Sequence, residues 1–128
     1  MNLSLLELQK AVFERLSGDL SWDVYDDVPE NASLPYIVTS GILSDTWRDK
    51  IKAGEEVVFT IDIWSEYPGK KEVLEIAIAA VQSLTRAPLS LSGFNVYCEE
   101  MEDLQILVDI DGKTRHGVLR YRLLVEEA

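Results

Sequence analysis

Few side chains in this sequence could carry out chemistry, and the first of them is the single histidine, His116. Histidine acts as a catalytic base only when a nucleophile or a carboxylate is held beside it. The sequence contains no GxSxG, HExxH, P-loop or GxGxxG pattern that would fix such a partner at a known spacing. We therefore expect His116, which lies in a predicted strand, to have a structural role.

Two adjacent carboxylates, Asp26 and Asp27, could suggest a metal site or an acid–base pair. Adjacent residues point apart on most backbones, and no histidine or third carboxylate follows at ligand spacing. Pro29 and Asn31 follow closely, and such residues are typical of turns. We expect a solvated turn here.

The single cysteine, Cys98, excludes an internal disulfide and any multi-cysteine zinc site. It shares the parity of the apolar residues around it, so we expect it to be a small buried hydrophobe. The sequence thus predicts no catalytic residue, no metal ligand and no cofactor. Pairs of Asp or Glu are available in any acidic chain, so a small acidic hydrolase or a ligand-binding module stays an alternative.

Composition predicts one packed domain over residues 1–128. The chain is 47% hydrophobic, which is enough to form a core. No apolar run reaches the roughly 20 residues that cross a bilayer, so no membrane partner is expected.

The formal net charge is −11, which argues against tight nucleic-acid binding and against anionic membranes. Two interpretations of this charge stay open. It serves solubility, or it forms an acidic surface that meets a basic partner or lines a passage for DNA.

Two helices are predicted from apolar stripes. Ser4 and Glu7 form a capping-box pattern at the start of the first helix, which Gly18 ends. The second helix is predicted over residues 68–86 and has the clearest stripe in the chain. The stripe of the first helix consists of Leu5, Leu8, Val12 and Leu16, and that of the second of Val73, Ile76, Ala77, Ala80, Val81 and Leu84.

Strands are predicted before and between these helices. A short strand covers residues 22–25, and a longer one covers residues 36–43. The clearest strand covers residues 55–64, where apolar residues alternate with polar ones over one buried face. Residues 44–54 join the last two strands as a polar loop, which is long for a hairpin. Trp47 in this loop either folds back on its own domain or serves a partner.

Two further strands follow the second helix. The first covers residues 95–109 and is interrupted by acidic residues 99–103, which predict a bulge or an exposed bend. Asp111 and Gly112 predict a tight type I′ hairpin turn into a strand over residues 113–125. Arg115, Arg120 and Arg122 on this last strand are expected to pair across to the acidic strand. The fold class is therefore α+β, with an antiparallel sheet of about five strands, two helices packed on it, and the order α-β-β-β-α-β-β.

The ordered pattern resembles the tail completion, or tail terminator, proteins of siphophages and related prophages. Its blocks span nearly the whole chain. They are Leu8 and Val12, residues 24–29, residues 34–38, residues 60–65 with Pro68 and Gly69, and residues 113–121.

This resemblance implies a fold similar to that of the lambda tail terminator, with an antiparallel or mixed sheet. It also implies a structural protein, not an enzyme, that forms a ring on the end of the tail tube. The ring, commonly a hexamer, stops tube polymerisation and provides the surface that joins the head. The implied partners are other copies of the chain, the major tail tube protein and the head–tail connector. DNA passes through such a ring without being held tightly.

The resemblance further implies a virion protein at the tail end or neck, assembled in the cytoplasm of the bacterial host. Another head–tail connector or neck component is the alternative within this class. The 44–54 loop and the acidic bend are the expected contact regions. The interface candidates are Asp45, Trp47, Arg48, Lys50, Lys52, Glu100, Glu102 and Asp103.

Overall fold

The computed structural model describes residues 3–48 and 53–128. It contains two helices and five strands in the order α-β-β-β-α-β-β, as the sequence predicts. The elements are α1 (Leu5–Asp19), β1 (Asp23–Tyr25), β2 (Tyr36–Arg48), β3 (Ala53–Ser65), α2 (Lys71–Thr85), β4 (Phe94–Val108) and β5 (Arg115–Glu127).

The five strands form one mixed sheet with the order β1-β2-β3-β5-β4. The short strand β1 pairs with β2 in parallel, while every other neighbouring pair is antiparallel. Both helices contribute to one hydrophobic core on a single face of the sheet. The predicted α+β class, with two helices on an antiparallel or mixed sheet, is confirmed.

Strand β3 is central and alternates as predicted. Val57, Phe59, Ile61 and Ile63 are fully buried beneath the helices, whereas the residues between them are half-buried on the other face. Successive side chains of a strand point to opposite faces, so the period of two in the sequence becomes one buried face.

Helix α2 buries the predicted stripe. Val73, Ile76, Ala77 and Leu84 are fully buried, and Val81 is half-buried at the margin. Gly117 on β5 allows this close approach, because a Cβ there would lie 3.2 Å from the Val73 side chain.

Helix α1 begins at Leu5 as predicted, but the capping box does not form. The Ser4 side chain makes no capping hydrogen bond. Instead, the Ser4 amide donates to Glu55 Oε1 on β3 at 2.7 Å. The sequence spacing predicted Glu7 as the acceptor for the Ser4 amide, but the packing of α1 on β3 brings Glu55 to the helix end instead.

The predicted 44–54 loop is wrong over its described part. Strand β2 continues to Arg48 and β3 begins at Ala53, while residues 49–52 lie outside the described residues. Trp47 pairs opposite Gly54, and its indole covers the space where a Cβ of Gly54 would lie. An aromatic ring over a strand glycine supplies the packing that glycine lacks, so this polar segment forms strand. Trp47 therefore folds back on its own domain and stays half-buried.

Strand β4 contains two bulges, where the sequence predicted one interruption. The register shifts between Val96 and Cys98 and again between Met101 and Asp103. The first bulge turns Glu99 to the helix face, opposite Leu123, and places Cys98 opposite Leu124 on the other face. Cys98 is half-buried, so the expectation that it is a buried residue is wrong. That expectation assumed an unbroken alternation along the strand, and the bulge reverses the alternation at Cys98.

The hairpin between β4 and β5 is confirmed, but its predicted type I′ turn is wrong. A type I′ turn requires positive φ at both central residues, whereas in the described chain only glycines, Gly112 among them, have positive φ. The Gly112 amide donates to the Asp109 carbonyl at 2.9 Å, and the Asp109 amide donates to the Thr114 carbonyl at 2.8 Å. The connection is thus a longer, closed loop over residues 109–114.

Candidate functional site

The face of the sheet that carries no helix, here called the open face, presents a mixed polar and apolar surface. Strand β3 contributes Val58, Thr60, Asp62 and Trp64 to it, all half-buried. The register places β5 residues beside them, with Arg122 opposite Val58, Arg120 opposite Thr60 and His116 opposite Trp64. A large, partly apolar surface of this kind is suited to contact with another protein.

Ion pairs cross the open face at one edge. Arg122 donates to Glu56 at 2.8 Å and to Glu100 at 3.0 Å, and it lies 3.9 Å from Glu102. Arg120 donates through two nitrogens to the carboxylate of Asp103. These charge-assisted bonds hold the pKa of Asp103 below its ordinary value.

The acidic interface candidates Glu100, Glu102 and Asp103 therefore lie together on β4, paired with arginines of their own chain. The cross-strand charge pairing predicted from the sequence is confirmed for Arg120 and Arg122. It is wrong for Arg115, which donates to the Lys113 carbonyl at 2.7 Å instead. Because β4 is the outermost strand on this side, the cluster sits at a sheet edge.

The other described candidates, Asp45, Trp47 and Arg48, lie near the far end of β2. Asp45 is exposed, and the register places it opposite Glu56, the residue of β3 that pairs with Arg122. Lys50 and Lys52 lie outside the described residues.

His116 forms a cross-strand cluster on the open face. Its ring stacks on Trp64 with 3.8 Å between centroids and a 9° angle between planes. Its Nε2 lies 2.6 Å from Asp62 Oδ1. The imidazole thus has the carboxylate that an acid–base histidine uses, but it lies flat on an indole, and the cluster joins β3 to β5. Its position fits the structural role expected from the sequence.

The two edges of the sheet differ in length and composition. On one side β4 runs for 15 residues with acidic side chains. On the other, β1 pairs only with Tyr36–Val38, so the edge of β2 beyond Val38 is not covered by β1. The subunit therefore presents two unlike edges on opposite sides.

The exposed isoleucine in the loop over residues 109–114 is a feature that sequence reasoning missed. Ile110 is fully exposed at its tip, and Val108 is 54% exposed beside it. The signal was present, since an isoleucine stands between two aspartates inside a turn.

A cavity of about 260 Å³ opens at the other end of β4. Within it, Glu99 accepts hydrogen bonds from the Leu89 amide at 2.7 Å and from the Tyr121 hydroxyl at 3.2 Å. Burial and the neighbouring Glu99 raise the pKa of Tyr121. The cavity is lined by Thr85, Pro88, Val96, Tyr97, Cys98, Glu99 and Tyr121.

Neither a metal-binding group nor a membrane-crossing helix is found in the described parts of the chain. No three His, Cys, Asp or Glu side chains there are grouped to hold a metal ion. Neither helix is long and apolar enough to span a bilayer.

Solved structures share this fold. A chain from the virion of a native gene transfer agent particle matches with a TM-score of 0.89 and 23% identity, covering 98% of this chain and 99% of that one. The bacteriophage SPP1 gp17 protein matches with a TM-score of 0.64 and 23% identity, covering 96% of this chain and 95% of that one.

Sequence comparison leads to the same group of proteins. The tail completion protein gp17 of Bacillus phage SPP1 is 25% identical over 123 residues, which cover 92% of this chain and 91% of that protein. The family model for tail completion protein gp17 matches residues 9–126. This match spans nearly the whole chain and confirms the family resemblance inferred from the ordered sequence blocks. The chain belongs to the tail completion protein gp17 family and is a structural protein of the phage virion, at the tail.

Proposed function

We propose that this chain, as one tail-terminator-like domain over residues 1–128, assembles into a closed ring on the end of the tail tube. The ring, a hexamer, stops tube polymerisation and presents the surface that joins the head. Its partners are other copies of the chain, the major tail tube protein and the head–tail connector. Assembly takes place in the host cytoplasm.

The observation that carries this proposal is the pair of unlike sheet edges on opposite sides of the subunit. A closed ring of identical subunits needs a heterologous interface, in which one patch meets a different patch on the next copy. The β4 edge and the β2 edge beyond Val38 meet that requirement. A dimer with twofold symmetry would instead need one self-complementary patch.

The charged side chains at the β4 edge support a specific contact between subunits. Long open strands are prone to unwanted pairing, and proteins protect them with bulges and charged side chains. Strand β4 carries two bulges and the acidic cluster Glu100, Glu102 and Asp103. Such an edge resists random pairing and favours a partner with matching shape and charge.

The net charge of −11 fits a ring through which DNA passes. Phosphates are repelled by an acidic lumen, so the genome moves through without sticking. Trp47, half-buried over Gly54, remains the candidate anchor at the β2 end, because tryptophan is enriched among residues that dominate interface energies.

A phage in which the gene for this chain is deleted tests the proposal, with a plasmid copy as the control. We expect filled heads together with overlong, unjoined tails, and infectivity restored by the plasmid. Unjoined tails of normal length would instead indicate a connector or neck component. Normal infectious particles would refute a role in tail completion.

Ring formation is tested on the purified protein and on isolated tails. Negative-stain microscopy should show a ring of fixed diameter at one tail end, and light scattering of the released ring should give one stoichiometry. A single copy on each tail end would contradict the ring.

A further inference from the structure

One row of side chains crosses the sheet and ends in an exposed apolar residue at each edge. Ile42 on β2 lies opposite Phe59 on β3. Phe59 lies opposite Tyr121 on β5, which lies opposite Met101 on β4. Residues directly opposite each other share a face of the sheet, so the whole row is on the helix side. Phe59 and Tyr121 are fully buried, whereas Ile42 is 38% exposed and Met101 is 45% exposed.

Helix α2 extends the apolar surface at the β4 end of this row. Leu74, Ile78, Val81 and Thr85 are three or four residues apart, so they share one side of the helix. Thr85 lines the cavity at β4 together with Glu99, so this side of α2 faces β4. Ile78 is 53% exposed there. The surface is here called the α2–β4 patch, and it consists of Leu74, Ile78, Val81, Met101, Leu104 and Ile106.

Helix α1 extends the apolar surface at the β2 end. Gln9 donates to the Thr39 hydroxyl on β2 at 3.0 Å, so its side of α1 faces that strand. Leu6 lies three residues before Gln9, shares its side of the helix and is 80% exposed. Thr39 and Ile42 are successive helix-side residues of β2. Leu6 and Ile42 are here called the α1–β2 patch.

The charged side chains around the two patches carry both signs. The described ones within seven positions of Leu6, Ile42, Ile78 or Met101 are Glu7, Lys10, Asp45, Arg48, Lys71, Glu72, Glu75, Glu99, Glu100, Glu102 and Asp103, and Asp26 joins them through Gln9. Those of β4 are already engaged within the chain, by arginines or by two hydrogen bonds to Glu99. Each of α1, β2 and α2 contributes both an acid and a cation. Charge therefore neither selects a strongly basic partner nor opposes a second copy.

The two ends of the row come together when copies stand side by side. The proposed ring sets the β4 edge of one copy against the β2 edge of the next. In a ring whose axis runs along the strands, rotation leaves the height of every residue along that axis unchanged. Met101 of one copy and Ile42 of the next belong to the same row, so they come level at the junction.

We propose that the α2–β4 patch of one copy packs against the α1–β2 patch of the next copy, with Met101 beside Ile42 and Ile78 beside Leu6. This inference rests on the proposed ring, for which it names the contact made by the helix layer. The occupant of each patch is a second copy of this chain. Apolar side chains lie at the centre of this contact and charged ones at its rim, which is the usual arrangement of a specific interface.

Paired substitutions on β2 and β4 test which side of the sheet carries the contact. Ile42→Asn and Met101→Asn remove the apolar ends of the row. Leu43→Asn and Leu107→Asn are the matched controls on the open face of the same strands, where Leu43 is 61% exposed and Leu107 is 41% exposed. All four variants should stay folded by circular dichroism.

The measurement is the concentration of purified protein at which half of the ringless tails from the deletion phage acquire a ring. Ile42→Asn and Met101→Asn should raise it at least about tenfold, as the loss of an interface anchor does. The two controls should change it less than about threefold, as exposed substitutions do. Equal effects within either pair would overturn the proposal.

A pair of cysteines tests the contact directly. Within one copy, Ile42 and Met101 are three strand spacings apart, roughly 14 Å, so cysteines there are too distant for a disulfide within the chain. The variant Ile42→Cys, Met101→Cys also carries Cys98→Ser, which removes the native thiol. On tails, a mild oxidant should link each copy to the next and give a ladder of covalent multimers.

The variant Ile42→Cys, Val108→Cys, Cys98→Ser is the control for the register. Val108 is 54% exposed and lies opposite Arg115, six β5 residues from Tyr121, so it is about 20 Å along β4 from Met101. This variant should give no ladder. A full ring without a ladder from the Ile42 and Met101 positions, or equal ladders from both variants, would overturn the contact.

Failure of the ring and failure of this contact give different results. If wild-type tails carry no ring, the proposed function is wrong. If Ile42→Asn and Met101→Asn attach to tails as well as the wild type does, the ring stands and the docking is wrong. If they lose attachment but the cysteine pair gives no ladder in a full ring, the patches contact the tail tube protein and the docking between copies is again wrong.

Discussion

At the scale of single residues, a buried carboxylate on β3 organises the start of the chain. Glu55 is only 3% exposed, and it accepts hydrogen bonds from the Ser4 amide at 2.7 Å and the Ser44 hydroxyl at 2.8 Å. It connects the first turn of α1 to both strands of the β2–β3 hairpin. Sequence spacing could not reveal this contact, because the partners are 51 residues apart.

Glu55→Ala should destabilise the protein by about 1–3 kcal/mol for each buried donor left without a partner. Glu56→Ala is the matched control, since Glu56 is 44% exposed and loses only an ion pair with Arg122, worth about 0–1 kcal/mol. Urea unfolding followed by tryptophan fluorescence measures both. Equal losses in the two variants would show that the buried contact contributes little.

A second prediction concerns how the stability contributed by Asp111, in the loop over residues 109–114, depends on pH. The hydroxyl of Thr114, with the amides of Thr114 and Lys113, lowers the pKa of Asp111 to about 2. Because the folded pKa lies below the ordinary value of 3.8, this stabilisation is complete above about pH 4 and is lost as the pH falls towards 2. The stability difference between the wild type and Asp111→Asn should therefore shrink over that range.

Urea unfolding at a series of pH values measures this difference, with Asp27→Asn in an exposed loop as the control. A difference that is constant from about pH 5 to about pH 2 would exclude a role for the ionised Asp111.

At the scale of elements, the spacing of apolar residues in the sequence predicted which face of a helix or strand is buried. The buried faces of α2 and β3 follow from repeats of about 3.6 and 2 residues, and both are confirmed. The strand ends of the β2–β3 hairpin were missed, because only the sheet brings Trp47 over Gly54. The contact of Arg15 was missed for the same reason: this α1 side chain donates to the Ser83 and Ala87 carbonyls at the end of α2.

Helix α2 offers a test of its own orientation. Ile76 is fully buried and Ile78, two residues on, is 53% exposed. Ile76→Asp should cost several kcal/mol, because it buries an unpaired carboxylate, out of a total stability of about 5–15 kcal/mol. Ile78→Asp should cost less than about 1 kcal/mol.

Thermal unfolding measures both variants. A cooperative transition near the wild-type temperature for Ile76→Asp would show that this face of α2 is not packed as described.

At the scale of the whole molecule, fold class and family could be predicted from the order of the elements and the sequence blocks. The pairing of the acidic residues of β4 with Arg120 and Arg122 could also be predicted, because β4 and β5 follow each other as a hairpin. The pairing of Arg122 with Glu56 could not, because Glu56 lies on β3 and the two residues are 66 positions apart in the sequence.

The overall charge gives a further prediction. We expect no retardation of duplex DNA by the purified protein in gel-shift assays, even at about 50 mM salt, where electrostatic binding is strong. The reason is the net charge of −11, which repels phosphate. Salt-sensitive DNA binding at micromolar protein would contradict a ring through which the genome passes freely.

The two bulges of β4 cancel each other's effect on the alternation of inward and outward side chains. Between Tyr97 and Glu102 this alternation is reversed relative to the rest of the strand, and the second bulge restores it. When relatives are aligned, a one-residue gap at one bulge therefore needs a matching gap at the other. An aligner that places only one would exchange the inward and outward positions along the remainder of the strand.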